Sequence, residues 1–195
     1  LMTPHAPSVP GGPAYFDLQV NGYAGGDFNG DHLSGEELEA ACKAMRADGV
    51  AQFLATIITD DLAVMAARAQ RLVNATAASE LAASMVAGIH FEGPFISREP
   101  GYVGAHPPQA ARAATIDAAA QLTDSASGLL RRVTLAPEQD ADGRVTAWLS
   151  DQGVTVSAGH CNPSLEQLHR SIDAGLSMFT HLGNGCPLLM HRHDN

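Results

Sequence analysis

The 195-residue sequence is short of aromatic side chains (5%) and of charge (16%), and it is shortest of cations, with 11 Lys and Arg against 21 Asp and Glu. The resulting formal net charge of −10 repels phosphate backbones, so nucleic acid is excluded as a partner, although a locally positive pocket could still take a small anion. No apolar run of about 18 residues is present, so no helical membrane span is expected and no membrane partner. Leu1-Met2-Thr3-Pro4-His5 has no basic segment followed by an apolar one, so no secretion signal is read there. The three cysteines, Cys42, Cys161 and Cys186, form neither a close pair nor a metal-knuckle spacing. An odd count without a framework points to reduced thiols and a cytoplasmic location. No GxGxxG or GxxxxGK[ST] loop follows the first strand pattern, which counts against a nucleotide-binding fold.

What is present is a repeated alternation. Residues 1–13 are rich in Pro and Gly and read as an irregular lead-in; residues 14–195 read as one domain. Tyr15–Val20 reads as a strand, Asn21–Gly30 as a Gly-rich loop, and Ser34 with Glu37 as a capping box opening a helix to about Ala47. Strands follow at Val50–Ile58, Met85–His90, Leu130–Ala136, Val154–Ala158 and Leu176–Thr180. Helices are expected at Asp61 to Ala75, Ala114 to Ala126, Val145 to Gln152 and from Ser164 to Ala174. Six near-continuous apolar strands alternating with helices predict an α/β fold with a buried parallel sheet, either doubly wound or part of a (β/α)8 barrel. A barrel needs about two strands more, and the polar string His191-Arg192-His193-Asp194-Asn195 reads as mid-loop, so the sequence is expected to be part of a longer chain. An open arc of six strands leaves edges unpaired, and it is expected to be inactive alone.

The chemistry-bearing residues cluster where strands end. Glu92 lies two residues after His90, on the same face of an extended segment, and a buried carboxylate there requires a cation, a proton or donors. His160 and His181 each end a strand, one after the other, which brings two imidazoles to one rim. Two neutral imidazoles and a carboxylate make a catalytic divalent-metal set with a position left for water.

The blocks Asp17-Leu18-Gln19-Val20-Asn21-Gly22, His90-Phe91-Glu92-Gly93-Pro94-Phe95, Gly104-Ala105-His106, Leu135-Ala136-Pro137-Glu138, Ser157-Ala158-Gly159-His160 and Thr180-His181-Leu182-Gly183-Asn184 resemble, in order and spacing, the N-acetylglucosamine-6-phosphate deacetylase family of the amidohydrolase superfamily. The resemblance runs from about Ala14 to Asn195 and selects the barrel, a TIM-like amidohydrolase barrel of which about six β-α units are present. It implies one divalent ion on Glu92, His160 and His181, zinc first, with iron, cobalt or manganese as alternatives. Gln19 and Asn21 stand where relatives carry a His-x-His pair for a second ion, which implies a single-ion site. It further implies that His106 contacts the sugar or acetamide and that Asn184, Gly185 and Arg192 hold the phosphate of an amino sugar phosphate. The reaction implied is hydrolysis of the acetamide of N-acetylglucosamine 6-phosphate to glucosamine 6-phosphate and acetate, with the general acid/base an aspartate beyond Asn195 and a homodimer as the full-length state. His90 either supports Glu92 from behind or simply packs. His191 and His193 either line the phosphate pocket or belong to a loose end. The segment Leu182-Gly183-Asn184-Gly185-Cys186-Pro187 departs from the commoner pattern. That leaves open a related N-acyl amino sugar hydrolase, a deaminase, or a non-catalytic protein that binds metal or sugar phosphate.

Overall fold

The structure, a computed structural model, describes residues 14–183 and 185–189. Six parallel strands form one sheet in sequence order: β1 (Tyr15–Val20), β4 (Val50–Ile58), β5 (Val86–Glu92), β6 (Leu130–Leu135), β7 (Thr155–Ala158) and β8 (Leu176–Phe179). Helices α1 (Gly35–Ala47), α2 (Leu62–Ala77), α4 (Ile116–Ser125), α5 (Arg144–Asp151) and α6 (Leu165–Asp173) follow the strands on one side. Each strand pairs with its sequence neighbour and β8 does not return to β1, so the architecture is an open half-barrel. The doubly wound alternative is absent: that topology requires a reversal of strand order.

Local chemistry fixes the element boundaries. Ser34 accepts from the Glu37 amide (3.2 Å) while Glu37 returns a bond to the Ser34 amide (2.8 Å), closing the expected capping box on α1. Ser164 and Gln167 do the same on α6, at 3.2 and 2.8 Å. Some features were not anticipated. A short helix, α3 (Glu80–Met85), is capped by Ser79, whose hydroxyl accepts from the Ala82 amide, so Met85 ends a helix and β5 begins at Val86. Strand β5 also runs two residues past His90, through Glu92. In the Gly-rich loop, β2 (Gly22–Tyr23) and β3 (Gly26–Asp27) form a tiny hairpin whose tip residues, Ala24 (φ 49°) and Gly25 (φ 93°), both take the left-handed conformation of a two-residue turn.

The apolar core lies between sheet and helices. Phe53, Ile57, Phe91, Val133 and Val156 from the strands are fully buried against Met45, Met65, Leu72, Leu122 and Leu149 from the helices. The strands are less uniformly apolar than expected, because their opposite face carries Thr56, His90, Glu92, Arg132, Thr134 and Ser157, all buried. The open edges are marked by apolar exposure: Tyr15, Phe16 and Leu18 on β1 and Phe179 on β8 are 41–67% exposed. No helix among the described residues is long and apolar enough to cross a membrane.

Candidate metal centre

The polar face converges at the C-terminal ends of the strands. Glu92, the last residue of β5, is 2% exposed, and its Oε1 stands 3.1 Å from His160 Nε2 and 2.8 Å from His181 Nε2. His106 reaches in from the loop after β5: its Nε2 is 3.2 Å from His160 Nε2 and 3.9 Å from Glu92 Oε2. The ligand atoms of Glu92, His106 and His160 all lie within 4.8 Å of one another. Four groups therefore meet at one point, three named from strand ends and His106, which the resemblance assigned to substrate.

Both strand-end histidines adopt the left-handed backbone conformation, His160 at φ 50° and His181 at φ 58°. For non-glycine residues that costs of order 1–3 kcal/mol each, and such strain concentrates at functional sites. The preceding Gly159 makes the turn possible: a Cβ there would meet Thr134 Cγ2 at 2.6 Å and Thr180 Cβ at 2.9 Å. Neither feature leaves a signal in the sequence beyond the glycine itself.

Hydrogen-bond directions test the site for a cation. His160 Nδ1 lies 3.0 Å from the carbonyl oxygen of Tyr102. A carbonyl only accepts, so Nδ1 carries the ring proton, and a neutral ring then turns the lone pair of Nε2 toward the Glu92 carboxylate and His106 Nε2. A lone pair that faces a carboxylate oxygen at 3.1 Å calls for a proton or a metal ion between them. A backbone carbonyl that fixes the tautomer in this way is the usual partner of a metal-binding imidazole. Burial pushes the Glu92 carboxyl up, but its bonds to His160 and His181 and the charge of His106 outweigh this and hold it at about 2. Burial lowers the His160 value, but the Glu92 carboxylate more than compensates and raises it. Burial, with His160 adding to it, takes His106 down to about 4, and burial with the Arg132 charge takes His90 down to about 3. A carboxylate held ionised, with imidazole nitrogens converging on it, is a donor set that fits one divalent ion.

The remaining sequence-derived residues fall out as follows. His90 lies behind Glu92 with both ring nitrogens engaged by threonines, Nδ1 with Thr56 (3.1 Å) and Nε2 with Thr134 (2.7 Å). Gln19 and Asn21, with Asp17 and His181, line a cleft of about 450 Å³ beside the cluster. The Gly185 amide donates to the His181 carbonyl (3.0 Å), so it closes a turn instead of pointing free toward an anion. Asn184 and Arg192, and with them His191, His193 and Asp194, lie outside the described residues. Sequence reasoning missed the Tyr102 carbonyl, because a backbone acceptor carries no residue signature, and it missed Arg132 and Thr180, which look like ordinary strand residues.

Comparison with known proteins adds a family likeness to this geometry. No protein-family model matches the chain. N-acetylglucosamine-6-phosphate deacetylase of Bacillus subtilis (strain 168) is 32% identical over 185 residues, 92% of this chain and 45% of that protein. N-acetylgalactosamine-6-phosphate deacetylase of Shewanella sp. (strain ANA-3) is 36% identical over 179 residues, 91% of this chain and 43% of that protein. The crystal structure of N-acetyl-D-glucosamine-6-phosphate deacetylase from Mycobacterium smegmatis superposes with a TM-score of 0.79 at 29% identity, over 92% of this chain and 45% of that one. An aspartate-to-alanine variant of the same enzyme, solved with N-acetyl-D-glucosamine-6-phosphate, matches equally well at 30% identity. The chain spans somewhat less than half the length of these relatives. Over almost all of its own length it is homologous to the N-acetylglucosamine-6-phosphate deacetylases, hydrolases of the amidohydrolase superfamily.

Proposed function

We propose that this chain provides the metal-binding portion of an amino-sugar deacetylase that hydrolyses N-acetylglucosamine 6-phosphate to glucosamine 6-phosphate and acetate. Residues 14–195 would form the first six units of a (β/α)8 barrel, behind the lead-in of residues 1–13. The observation that carries the reading is the convergence of one carboxylate and three imidazoles from the ends of β5, β7 and β8 and a loop.

In this reading Glu92, His160 and His181 hold a single divalent ion: zinc, or iron, cobalt or manganese. Bound there, the ion would polarise the acetamide carbonyl and lower the pKa of a coordinated water toward neutrality. The chain's own residues supply the rest. Glu92 contributes a charge that stays ionised at any working pH. The Tyr102 carbonyl keeps His160 in the tautomer that presents Nε2. His106, buried beside the ligands, would hydrogen-bond the acetamide. Asn184 and Arg192 would bind the phosphate, Arg192 as a planar fork. Gln19 and Asn21, in place of stronger ligands, leave the second position without a cation. The proton for the departing amine would come from an aspartate on a later strand, in keeping with the aspartate variant in which the M. smegmatis relative was solved with its substrate.

A second reading keeps the chemistry and changes the sugar, since a relative at 36% identity is an N-acetylgalactosamine-6-phosphate deacetylase. Acetate release from the two C4-epimeric 6-phosphates, measured with the full-length metal-loaded protein, distinguishes them. Release from N-acetylglucosamine 6-phosphate supports the proposal. Release from the galacto epimer alone transfers it to the second reading, and release from neither overturns both.

A further inference from the structure

Beneath the ligand cluster, the inner face of the sheet carries a run of hydroxyls that starts at a buried cation, and the reaction proposed above does not use it. Arg132, on β6, is 4% exposed. Its Nη2 donates to Thr180 Oγ1 (2.6 Å) and Ser157 Oγ (3.3 Å), and its Nη1 to the Leu18 carbonyl (3.4 Å). None of these partners is a carboxylate, and Nε has no partner among the described residues. A buried guanidinium solvated only by neutral oxygens is expensive, and a methionine in its place would fill similar space without that cost.

The chain continues from strand to strand. Thr180 Oγ1 meets Thr134 Oγ1 at 2.9 Å and Ser157 Oγ at 2.8 Å. Thr134 Oγ1 meets His90 Nε2 at 2.7 Å, His90 Nδ1 meets Thr56 Oγ1 at 3.1 Å, and Thr56 Oγ1 faces the Leu54 carbonyl at 3.4 Å. Each hydroxyl has one proton to give, and a neutral imidazole has one donor and one acceptor. The Leu54 carbonyl can only accept, so Thr56 donates to it and accepts from His90 Nδ1–H. His90 then accepts at Nε2 from Thr134. Thr134 in turn accepts from Thr180, and Thr180 accepts from Ser157 and Arg132. A single polarity satisfies every contact, and it begins at the guanidinium.

This chain touches the backbone that bears the ligands. Thr180 directly precedes His181, and its amide donates to the Ala158 carbonyl at 2.6 Å. The side chains of Thr134 and Thr180 leave no room for a Cβ at Gly159, which directly precedes His160. We propose that Arg132, acting through Thr180 and the polarised hydroxyl chain, is a positioning residue that holds His160 and His181 in the left-handed conformations from which both imidazoles reach one ion. The inference rests on the metal reading above. It differs from a purely stabilising core network in that metal geometry, and not only fold stability, must change when the chain is cut.

The test compares the full-length protein with Thr180→Val, Thr180→Ser, Arg132→Met and Arg132→Lys, each checked for folding by near-UV circular dichroism. The cobalt(II) dissociation constant is measured by chelator competition, and the visible spectrum of the cobalt form is recorded. Ring nitrogen NMR assigns the His90 tautomer. Thr180→Val and Arg132→Met should weaken cobalt binding about 10- to 100-fold, the usual effect of losing a group that orients a ligand, and should alter the spectrum. Thr180→Ser and Arg132→Lys should restore most of both, and wild-type His90 should carry its proton on Nδ1. A folded Thr180→Val with wild-type affinity and spectrum overturns the proposal; if that variant does not fold, Arg132→Met is judged by the same criterion. A His90 proton on Nε2 overturns the polarity and with it the chain. Absence of stoichiometric cobalt in folded wild type overturns the metal reading itself and the positioning role with it, a result distinct from unaltered binding in the variants.

Discussion

The two faces of the parallel sheet share the same strands and have opposite chemistry. On the helix side, Phe53, Ile57, Phe91, Val133 and Val156 belong to one apolar cluster. One residue away on each of those strands, the inner face presents Thr56, His90, Glu92, Arg132, Thr134 and Ser157. The outer face works through area and shape, which are non-directional, so each residue contributes nearly independently and similar shapes substitute for one another. The inner face works through direction: each hydroxyl is satisfied only if its neighbours point the right way, and a half-satisfied network costs more than an apolar one. The comparison separates what holds the fold from what sets the site, although the two are interleaved at a spacing of one residue.

The largest effect that sharpens this separation is expected on the inner face. Glu92→Gln together with His160→Ala should take bound metal from about one equivalent to background by plasma mass spectrometry, since three protein ligands are the minimum of such a site. The same protein should keep its far-UV circular dichroism, because neither residue packs against a helix. Metal that persists in this variant would break the assignment. Next in size is the outer-face neighbour. Phe91→Ala should cost about 3–5 kcal/mol in urea unfolding, the range for a fully buried aromatic, while whatever fraction remains folded binds metal as before. A Phe91 variant that stays stable but loses metal would show that the faces are coupled.

Acid should attack the inner face first. His90 and His106 are held neutral, at about 3 and about 4, by burial above all. Their pKa values are depressed on folding, so between about 6.5 and 4 the unfolded chain takes up protons that the native state refuses, and stability falls as pH falls. His160, raised by Glu92, works the other way: its contribution is present at low pH and lost as pH rises through its folded value. The carboxylate of Glu92, lowered from 4.5 to about 2, keeps its contribution between pH 7 and pH 5 and begins to lose it only below about 4.5. Two imidazoles against one give a net loss, so the urea midpoint of the metal-free protein should drop between pH 7 and pH 5. A flat or rising midpoint would mean that the inner face is wetter than the geometry shows.

Much of the outer face could be read from the sequence. Alternating apolar segments, the Ser34–Glu37 capping box, the helix start at Ser164, and the strand ends at His160 and His181 are local, and local signals survive folding. What could not be read depends on contacts between strands. That His90 and Glu92 share the inner face was legible from their spacing, but the groups on β4, β6 and β7 that they meet there were not, because only the register brings them opposite. Arg132 draws no notice in its strand, because nothing nearby in sequence says that Thr180, 48 residues on, will accept from it. The Tyr102 carbonyl has no signature at all. His106 was legible as a site residue, but its distance to His160 belongs to the loop and not to its motif.

The smallest expected effects lie away from both faces, at the two helix caps, and they ask whether the half-barrel is equally stiff along its arc. Both α1 and α6 open with a complete capping box. Helix α1 buries Leu38, Ala41, Cys42 and Met45, so it cannot unwind without opening the core. Helix α6 buries only Ser171 and leaves Leu165 and Ile172 exposed, at 75% and 50%. Losing a cap costs about 1 kcal/mol wherever it is, but how that loss appears depends on what the helix is fastened to. Ser34→Ala should therefore lower the global unfolding free energy by about 1 kcal/mol in urea titration. Ser164→Ala should leave the urea midpoint almost unchanged and instead speed amide hydrogen exchange across Leu165–Asp173, because that helix can fray alone. Equal global losses from the two substitutions would mean that α6 is covered in the full-length protein, where Leu165 and Ile172 would then have partners.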